Sequence, residues 1–353
     1  MASMSDAQTK RLMGRLSSIK HVLLVLSGKG GVGKSSVAVQ LALTLLSSQP
    51  GARIGLLDID LTGPSVPRMM GMEGQDVHQS REGWVPVHLY APKKEDASAD
   101  EERGVLKCMS IGFLLSNSQE SVVWRGPKKT AMIRQFLGDV RWGELDWLII
   151  DTPPGTSDEH ISLLEQLRPL LMPAVESIAL PTLDSLLVTT PQAVSLSDVS
   201  KELSFARRTS LPVLGLIENM SGYVCPHCGD ITPVFGKGGG EDFCRIEEEK
   251  RMAGQGEGCR FLGRLPIDTE FVVLMDTAAR KQQVVDGLLP AETLLDRYVK
   301  TPTYKIFKEI CTKIVAAPTK LRAQGCSKKY NQHPVVVYLL DLATRSVSDQ
   351  TSQ

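Results

Sequence analysis

Apolar residues along this chain fall into short unbroken runs, separated by stretches where they recur with helical spacing. The clearest runs are residues 22–26, 53–58, 105–109, 147–151, 185–189 and 213–218, and most of them lack polar alternation. Strands buried on both faces require continuous runs of this length, whereas a half-exposed strand would alternate. Between them, Val37, Leu41 and Leu45 form one stripe with Ala38 and Ala42, and further helices are predicted near 128–137, 157–167 and 192–208. Strand alternating with helix predicts an α/β fold. Its core is a doubly wound, mostly parallel sheet with helices on both faces and right-handed crossovers.

Two stretches interrupt the pattern. Residues 92–103 (PKKEDASADEER) are charged and poor in core formers, which predicts a solvated loop. Residues 168–182 (RPLLMPAVESIALPT) are apolar but broken by three prolines, and read either as a flap or as a packed connection. After residue 317 the periodicity weakens, although 334–342 (PVVVYLLDL) has the composition of a strand or short helix.

The 353 residues carry 40 basic and 40 acidic side chains, so the formal net charge is zero. Bulk charge therefore supports neither a nucleic-acid-binding face nor an acidic disordered chain. With 42% hydrophobic residues but only 5% aromatics, a sizeable core must be built mainly from aliphatic side chains and Met. No apolar stretch approaches the roughly 20 residues of a membrane span. Lys10, Arg11, Arg15 and Lys20 against the single acid Asp6 faintly resemble a transit peptide. A strand starting by His21, however, would leave nothing ahead of the core after cleavage. Seven scattered cysteines, an odd number, make no disulfide framework. A reducing cytoplasm is the expected compartment, with neither nucleic acid nor membrane as a partner.

Residues 28–35 (GKGGVGKS) match the glycine-rich phosphate loop G-x-x-x-x-G-K-[ST] at every position. Glycines let successive backbone N–H groups turn inward as an anion-binding nest, and the following helix N-terminus adds its positive end. The expected cradle is Gly28, Lys29, Gly30, Gly31, Val32, Gly33, Lys34, Ser35 and Ser36, holding ATP. Lys34 would reach the β- and γ-phosphates, and the Ser35 hydroxyl would ligate Mg²⁺. Residues 148–151 (LIID) deliver Asp151 from a buried strand to the same end of the sheet, where it would hold the Mg²⁺ shell. Residues 56–60 (LLDID) place Asp58 and Asp60 at another strand end, Asp58 nearer the metal and Asp60 as candidate for positioning the attacking water. Any ATP hydrolysis is expected to be weak.

A second chemical site is Cys225-Pro-His-Cys228. In a reducing compartment this spacing suits metal binding or redox chemistry. A [4Fe–4S] cluster and tetrahedral zinc each want about four ligands, and one pair supplies half of them. Two chains giving two thiolates each across a dimer axis is the economical solution. Zinc on the same four sulfurs, His227 as a ligand, or Cys244 and Cys259 completing a site within one chain remain open. Packing is the simpler role for Cys108, Cys244, Cys259 and Cys311, and Cys326 has no visible one.

The extra lysine Lys29 in KGGVGKS resembles the deviant Walker A of the MinD-type NTPases. Residues 58–65 (DIDLTGPS), 124–129 (WRGPKK), 151–160 (DTPPGTSDEH) and 219–229 (NMSGYVCPHCG) further resemble the Mrp branch, whose members are scaffold NTPases for Fe–S clusters. The likeness spans roughly 20–315. It implies an ATP-dependent scaffold that assembles a [4Fe–4S] cluster at a dimer interface and passes it to cytosolic and nuclear apo-proteins. It also implies that Lys29 reaches the other subunit's nucleotide, and that Asn219 approaches the adenine beside a 265–268 loop containing Pro266. No cysteine precedes Cys108, so the four-cysteine ferredoxin-like head of the family's longer scaffold subunit has no counterpart here. The expected assembly is a homodimer, a hetero-complex with that longer subunit, or both, working with apo Fe–S proteins and targeting factors. A zinc-bridged metallochaperone and a MinD-like positioning ATPase are the alternatives. Residues 1–20 are expected to be a flexible segment, 21–316 the P-loop NTPase domain, and 317–353 a C-terminal tail.

Overall fold

The computed structural model describes residues 6–61, 63–90, 104–114, 126–171, 180–225, 227–281 and 293–317. In chain order the first half contains α1 (Asp6–Leu16), β1 (Ile19–Ser27), α2 (Lys34–Ser48), β2 (Arg53–Asp58), α3 (Val66–Met69), β3 (His78–Ser80), β4 (Gly83–Val85), β5 (Val87–Tyr90), β6 (Val105–Ser110) and α4 (Gly126–Gly138). It continues with β7 (Leu145–Asp151), α5 (Asp158–Leu171), β8 (Thr182–Thr189), α6 (Ala193–Arg208), β9 (Val213–Val224) and β10 (Ile231–Thr232). Then follow α7 (Gly239–Met252), β11 (Phe261–Ile267), α8 (Thr269–Lys281), α9 (Leu294–Tyr298) and α10 (Pro302–Val315). The solvated loop expected at 92–103, residues 172–179 with Pro173, Cys326 and the segment 334–342 lie outside the described residues, whereas Pro169 falls inside α5.

One nine-stranded sheet organises the chain in the order β10-β9-β8-β1-β7-β2-β6-β5, with β11 pairing on β9. Within this sheet antiparallel pairing is confined to β5 and β10 and the other strands run parallel, while β3 and β4 form a separate antiparallel pair. Alternate residues of β1 feed different cores, Leu23 and Val25 on one face, Val22, Leu24 and Leu26 on the other. The first core is closed by α2, α3, α8, α9 and α10, the second by α1 and α4 to α7. This two-sided cover is the reason the strands read as unbroken apolar runs. No helix of the described residues is long and apolar enough to cross a membrane.

Residues 6–20 depart from the expected flexibility. Leu12 and Leu16 lie one helical turn apart on α1 and are buried in the second core, and Ile19 already opens β1. Three of the four basic residues that resembled a transit peptide have structural partners. Arg11 pairs with Asp139 at 3.1 Å, Lys20 with Asp146 at 2.8 Å, and Arg15 donates to the Glu82 carbonyl. Two further differences concern strands. Residues 219–222 (Asn-Met-Ser-Gly) have the composition of a turn but lie within β9, which runs on to Val224 with β11 and β10 along its far edge. Likewise the 265–268 loop is the end of β11, and Asp268 caps α8 by accepting from the Glu270 N–H at 2.9 Å.

Glu202 on α6 is 1% exposed, and neither carboxyl oxygen has a hydrogen-bond partner among the described residues. Burial pushes its pKa up from 4.5 to about 7. Folding therefore tightens the proton, and the stability it contributes is lost as pH rises from the unfolded value through the folded one. Glu202→Met is expected to stabilise the protein at pH 8 by on the order of 2–3 kcal/mol and by much less near pH 4. Urea unfolding at both pH values measures this, and equal gains would mean the carboxyl reaches water.

Candidate functional site

The loop between β1 and α2 takes the shape its glycines permit. Gly33 sits at φ 81°, left-handed backbone that an L side chain rarely adopts, immediately before α2 begins at Lys34. A Cβ on Gly28 would fall 2.4 Å from the Asp198 carbonyl carbon, so α6 crosses the loop at backbone distance. Ser27 closes the turn by donating from its hydroxyl to the Lys29 carbonyl at 3.1 Å. Lys29 is half-buried, and Ser36 lies beside Met69 of α3.

Parallel register carries both acidic strand ends to this loop, with Asp58 opposite Asp151 and Asp151 opposite Val25. Lys34, 6% exposed, places its Nζ 2.5 Å from the Asp151 carboxylate and 3.4 Å from the Ser35 hydroxyl. The other Asp151 oxygen is buried with no partner among the described residues. An orphaned carboxylate oxygen beside a serine hydroxyl is a donor set that suits Mg²⁺. Burial and the neighbouring Asp60 raise the Asp151 pKa, opposed by Lys34. Asp58 is pushed up to about 8, first by burial and then by Asp151. Its oxygens organise the following turn, accepting from the Asp60 N–H at 3.1 Å, the Ser110 hydroxyl at 3.1 Å and the Val66 N–H at 3.4 Å. Asp60 is half-buried and accepts from Gly63 N–H at 3.3 Å.

The segment after Asp151 lies against the loop: Gly155 N–H donates to the Ser27 carbonyl at 2.8 Å and the Thr152 hydroxyl to the Val25 carbonyl at 2.8 Å. His160 brackets this segment, with Nε2 at 3.2 Å from the Thr152 hydroxyl and Nδ1 at 3.3 Å from that of Ser157. Because the Thr152 proton is committed to Val25, Nε2 carries the ring proton and Nδ1 accepts. Burial and then the Lys34 charge push the His160 pKa down to about 4, keeping the ring neutral. Lys129 is paired with Glu159 at 2.5 Å, while Trp124 and Arg125 of the same quoted segment lie outside the described residues.

On the far side of the loop, Asn219 donates from Nδ2 to the Val32 carbonyl at 2.9 Å. Leu265 is its register partner on β11, and Pro266 is buried next to it.

Cys225 and Cys228 occupy the turn between β9 and β10. Cys225 N–H donates to the Asp230 carbonyl at 2.9 Å and Gly229 N–H to the Cys225 carbonyl at 2.8 Å, which fixes a tight knuckle. Cys225 is half-buried, whereas Cys228 and His227 are exposed. Backbone N–H groups of Cys228 and His227 pull the Cys225 thiol below its ordinary value, the direction a metal-binding thiolate needs. Among the described residues no group of three or more His, Cys, Asp or Glu is gathered as a metal site. Cys244 and Cys259 are buried together in the second core, sulfurs 3.8 Å apart, and do not join the knuckle. Cys108 and Cys311 are buried packing residues, as their patterns imply.

The Lys34–Asp151 pairing, Ser110 and the bracketing role of His160 are not legible in the sequence: His160 lies within the 151–160 motif, but Ser110 carries no local signal.

Residues 18–314 match the ParA family model described as NUBPL iron-transfer P-loop NTPase. The chain is 58% identical over 274 residues to the cytosolic Fe-S cluster assembly factor CFD1 of Mycosarcoma maydis, covering 76% of this chain and 67% of that protein. It is 51% identical over 314 residues to the CFD1 factor of Yarrowia lipolytica, covering 89% and 93% respectively. Among solved structures it resembles a nucleotide-binding protein of Archaeoglobus fulgidus in complex with ADP, in which cobalt was found. The likeness has a TM-score of 0.58 and 32% identity, covering 81% of this chain and 98% of that one.

Proposed function

This chain belongs to the ParA-type family of NUBPL iron-transfer P-loop NTPases, and on that premise we propose that it is an ATP-dependent scaffold and carrier for Fe–S clusters in the cytosol. The cargo is a [4Fe–4S] cluster held jointly by Cys225 and Cys228 of two chains and passed to cytosolic and nuclear apo-proteins. The second chain is another copy or the longer, ferredoxin-headed scaffold subunit. Targeting factors direct delivery.

The observation that carries this reading is the knuckle itself. It presents two thiols at an exposed sheet edge, and among the described residues no group of three or more potential ligands is gathered there. Four-coordinate iron or zinc chemistry then calls for a second pair from outside the chain. Ile231, Val234 and Phe235, at 51%, 53% and 38% exposure, flank the same edge. Apolar side chains left in water beside two thiols suit burial against a partner that brings the other two. A site with two ligands per chain also opens when the chains move apart, as a carrier's must.

The phosphate loop supports the nucleotide half of the reading. Lys34, Ser35 and Asp151 are the residues that would hold Mg²⁺ and the phosphates, and bound Mg²⁺ would neutralise charge on the transferred phosphoryl group. In this reading Lys29 reaches across the dimer to the other subunit's nucleotide, and Asp60 orients the attacking water. The relatives named for cytosolic cluster assembly support the compartment.

The test is iron, acid-labile sulfide and zinc per subunit on anaerobically purified protein of known oligomeric mass. About two irons and two sulfides per chain are expected, one [4Fe–4S] cluster per pair. About half a zinc per chain without sulfide would replace the cluster with a zinc staple and defeat the scaffold reading.

A further inference from the structure

Three consecutive residues of β9 face different parts of the molecule. Glu218, fully buried, accepts from the Gly240 N–H at the start of α7 and from the Ser221 hydroxyl, both at 2.5 Å. Asn219 holds the Val32 carbonyl of the phosphate loop. Met220 has φ 55°, and only it and Ser210 have positive φ among the described non-glycine residues. Ser210 ends a helix, where such backbone is common, whereas a long side chain in left-handed backbone within a strand is an outlier.

The Val32 carbonyl and the Gly33 N–H belong to one rigid peptide plane. Asn219 therefore sets the direction in which the Gly33 N–H points, and that N–H is one of the donors of the anion nest. Space at this joint is fully used, since a Cβ on Gly33 would fall 2.2 Å from Asn219 Nδ2 and 3.6 Å from the Met220 terminal methyl carbon. On the other side the strand leads straight to the thiols. Gly222 is pressed against β10, where a Cβ would meet Ile231 at 2.5 Å, and Cys225 follows three residues later. Glu218 and Gly222 thus fix the strand on both sides of the strained Met220, so any turn of the Val32–Gly33 peptide would have to be taken up between them.

We propose that the Val32–Gly33 peptide, Asn219 and Met220 form the joint through which occupancy of the phosphate loop biases metal binding at Cys225 and Cys228. This rests on the proposed function for both sites and adds the route between them. Asn219 acts here as a positioning residue, and Met220 as a strained element with two settings.

The test uses Co²⁺ alone as the metal probe, titrated anaerobically into the full chain and read by the thiolate-to-cobalt charge-transfer band. Cobalt at the nucleotide site does not produce that band. Affinity is measured with and without Mg²⁺ and a non-hydrolysable ATP analogue, and nucleotide affinity is measured with and without Co²⁺. Wild type is expected to show a ratio of affinities of roughly 5- to 150-fold, the same from both directions. Asn219→Ala is expected to bring the ratio to about one, whatever it does to each affinity. Met220→Gly, whose backbone tolerates the observed φ, is expected to reduce the ratio while the thermal melt stays cooperative. A residue that merely touched the nucleotide would lower affinity and leave the ratio alone. A wild-type ratio of one, or a full ratio in Asn219→Ala, overturns the joint. Absence of the charge-transfer band or of nucleotide binding in wild type overturns the functional reading as well, so the two failures are distinguishable.

Discussion

Lys34→Ala is expected to weaken nucleotide binding by on the order of 10²–10³-fold, the effect of deleting one buried charge partner. The same substitution is expected to destabilise the protein without nucleotide by about 3–5 kcal/mol. Both follow from the position of the ammonium, 2.5 Å from Asp151 in a site where Asp58 and Asp151 are both fully buried. Without Lys34 two buried carboxylates face each other with no cation between them. Their folded pKa values are already raised, Asp58 to about 8. The folded state therefore favours their protonated forms, and the stability this contributes is lost as pH rises through those values. The stability difference between variant and wild type should accordingly be larger at pH 8 than at pH 5. A double variant, Lys34→Met with Asp151→Asn, separates the two effects. It is expected to recover most of the stability and none of the nucleotide affinity. Urea unfolding at the two pH values and fluorescent-nucleotide titration measure this. Equal destabilisation at both pH values would show that water screens the pair.

Cys225→Ser and Cys228→Ser, singly, are each expected to reduce bound iron to background. Each removes two of the four thiolates in a pair of chains. Binding that depends on four thiolates carries about 10–16 kcal/mol for zinc in small domains, so the loss of two leaves no site. Where metal bridges the subunits, the variants should also sediment at lower mass than wild type. Cys244→Ser and Cys259→Ser provide the contrast. Their sulfurs touch each other in the core, 3.8 Å apart, so those changes should lower the melting temperature and leave iron content unchanged. Iron analysis with sedimentation on all four proteins reads the outcome. Iron retained by either knuckle variant would place the metal elsewhere in the chain.

The sequence by itself determined whatever is written in local spacing. Unbroken apolar runs located most strands, because burial on both faces forbids polar alternation at any position. The glycine pattern located the phosphate loop, because an anion nest and the turn into α2 need backbone that only glycine adopts easily. The two-residue gap in C-x-x-C located the knuckle, because it sets how far apart two thiols can stand. Local spacing also misled in places. The basic residues before His21 gave no sign that Leu12 and Leu16 would dock on the second core. Asn-Met-Ser-Gly has the composition of a turn, yet β11 pairs with Asn219 and with Tyr223 beyond it, and β10 with Tyr223 and Val224, so the strand runs through it.

Only the tertiary structure decided which distant residues meet. Lys34 rests on Asp151 from 117 positions away and Asn219 on Val32 from 187. Such pairs depend on strand order and register, β7 beside β1 on one side and β9 two strands from β1 on the other, and neither is encoded in the period of any one segment. The sequence names the groups that can bind phosphate, and the sheet brings Lys34 and Asp151 within a hydrogen bond of one another.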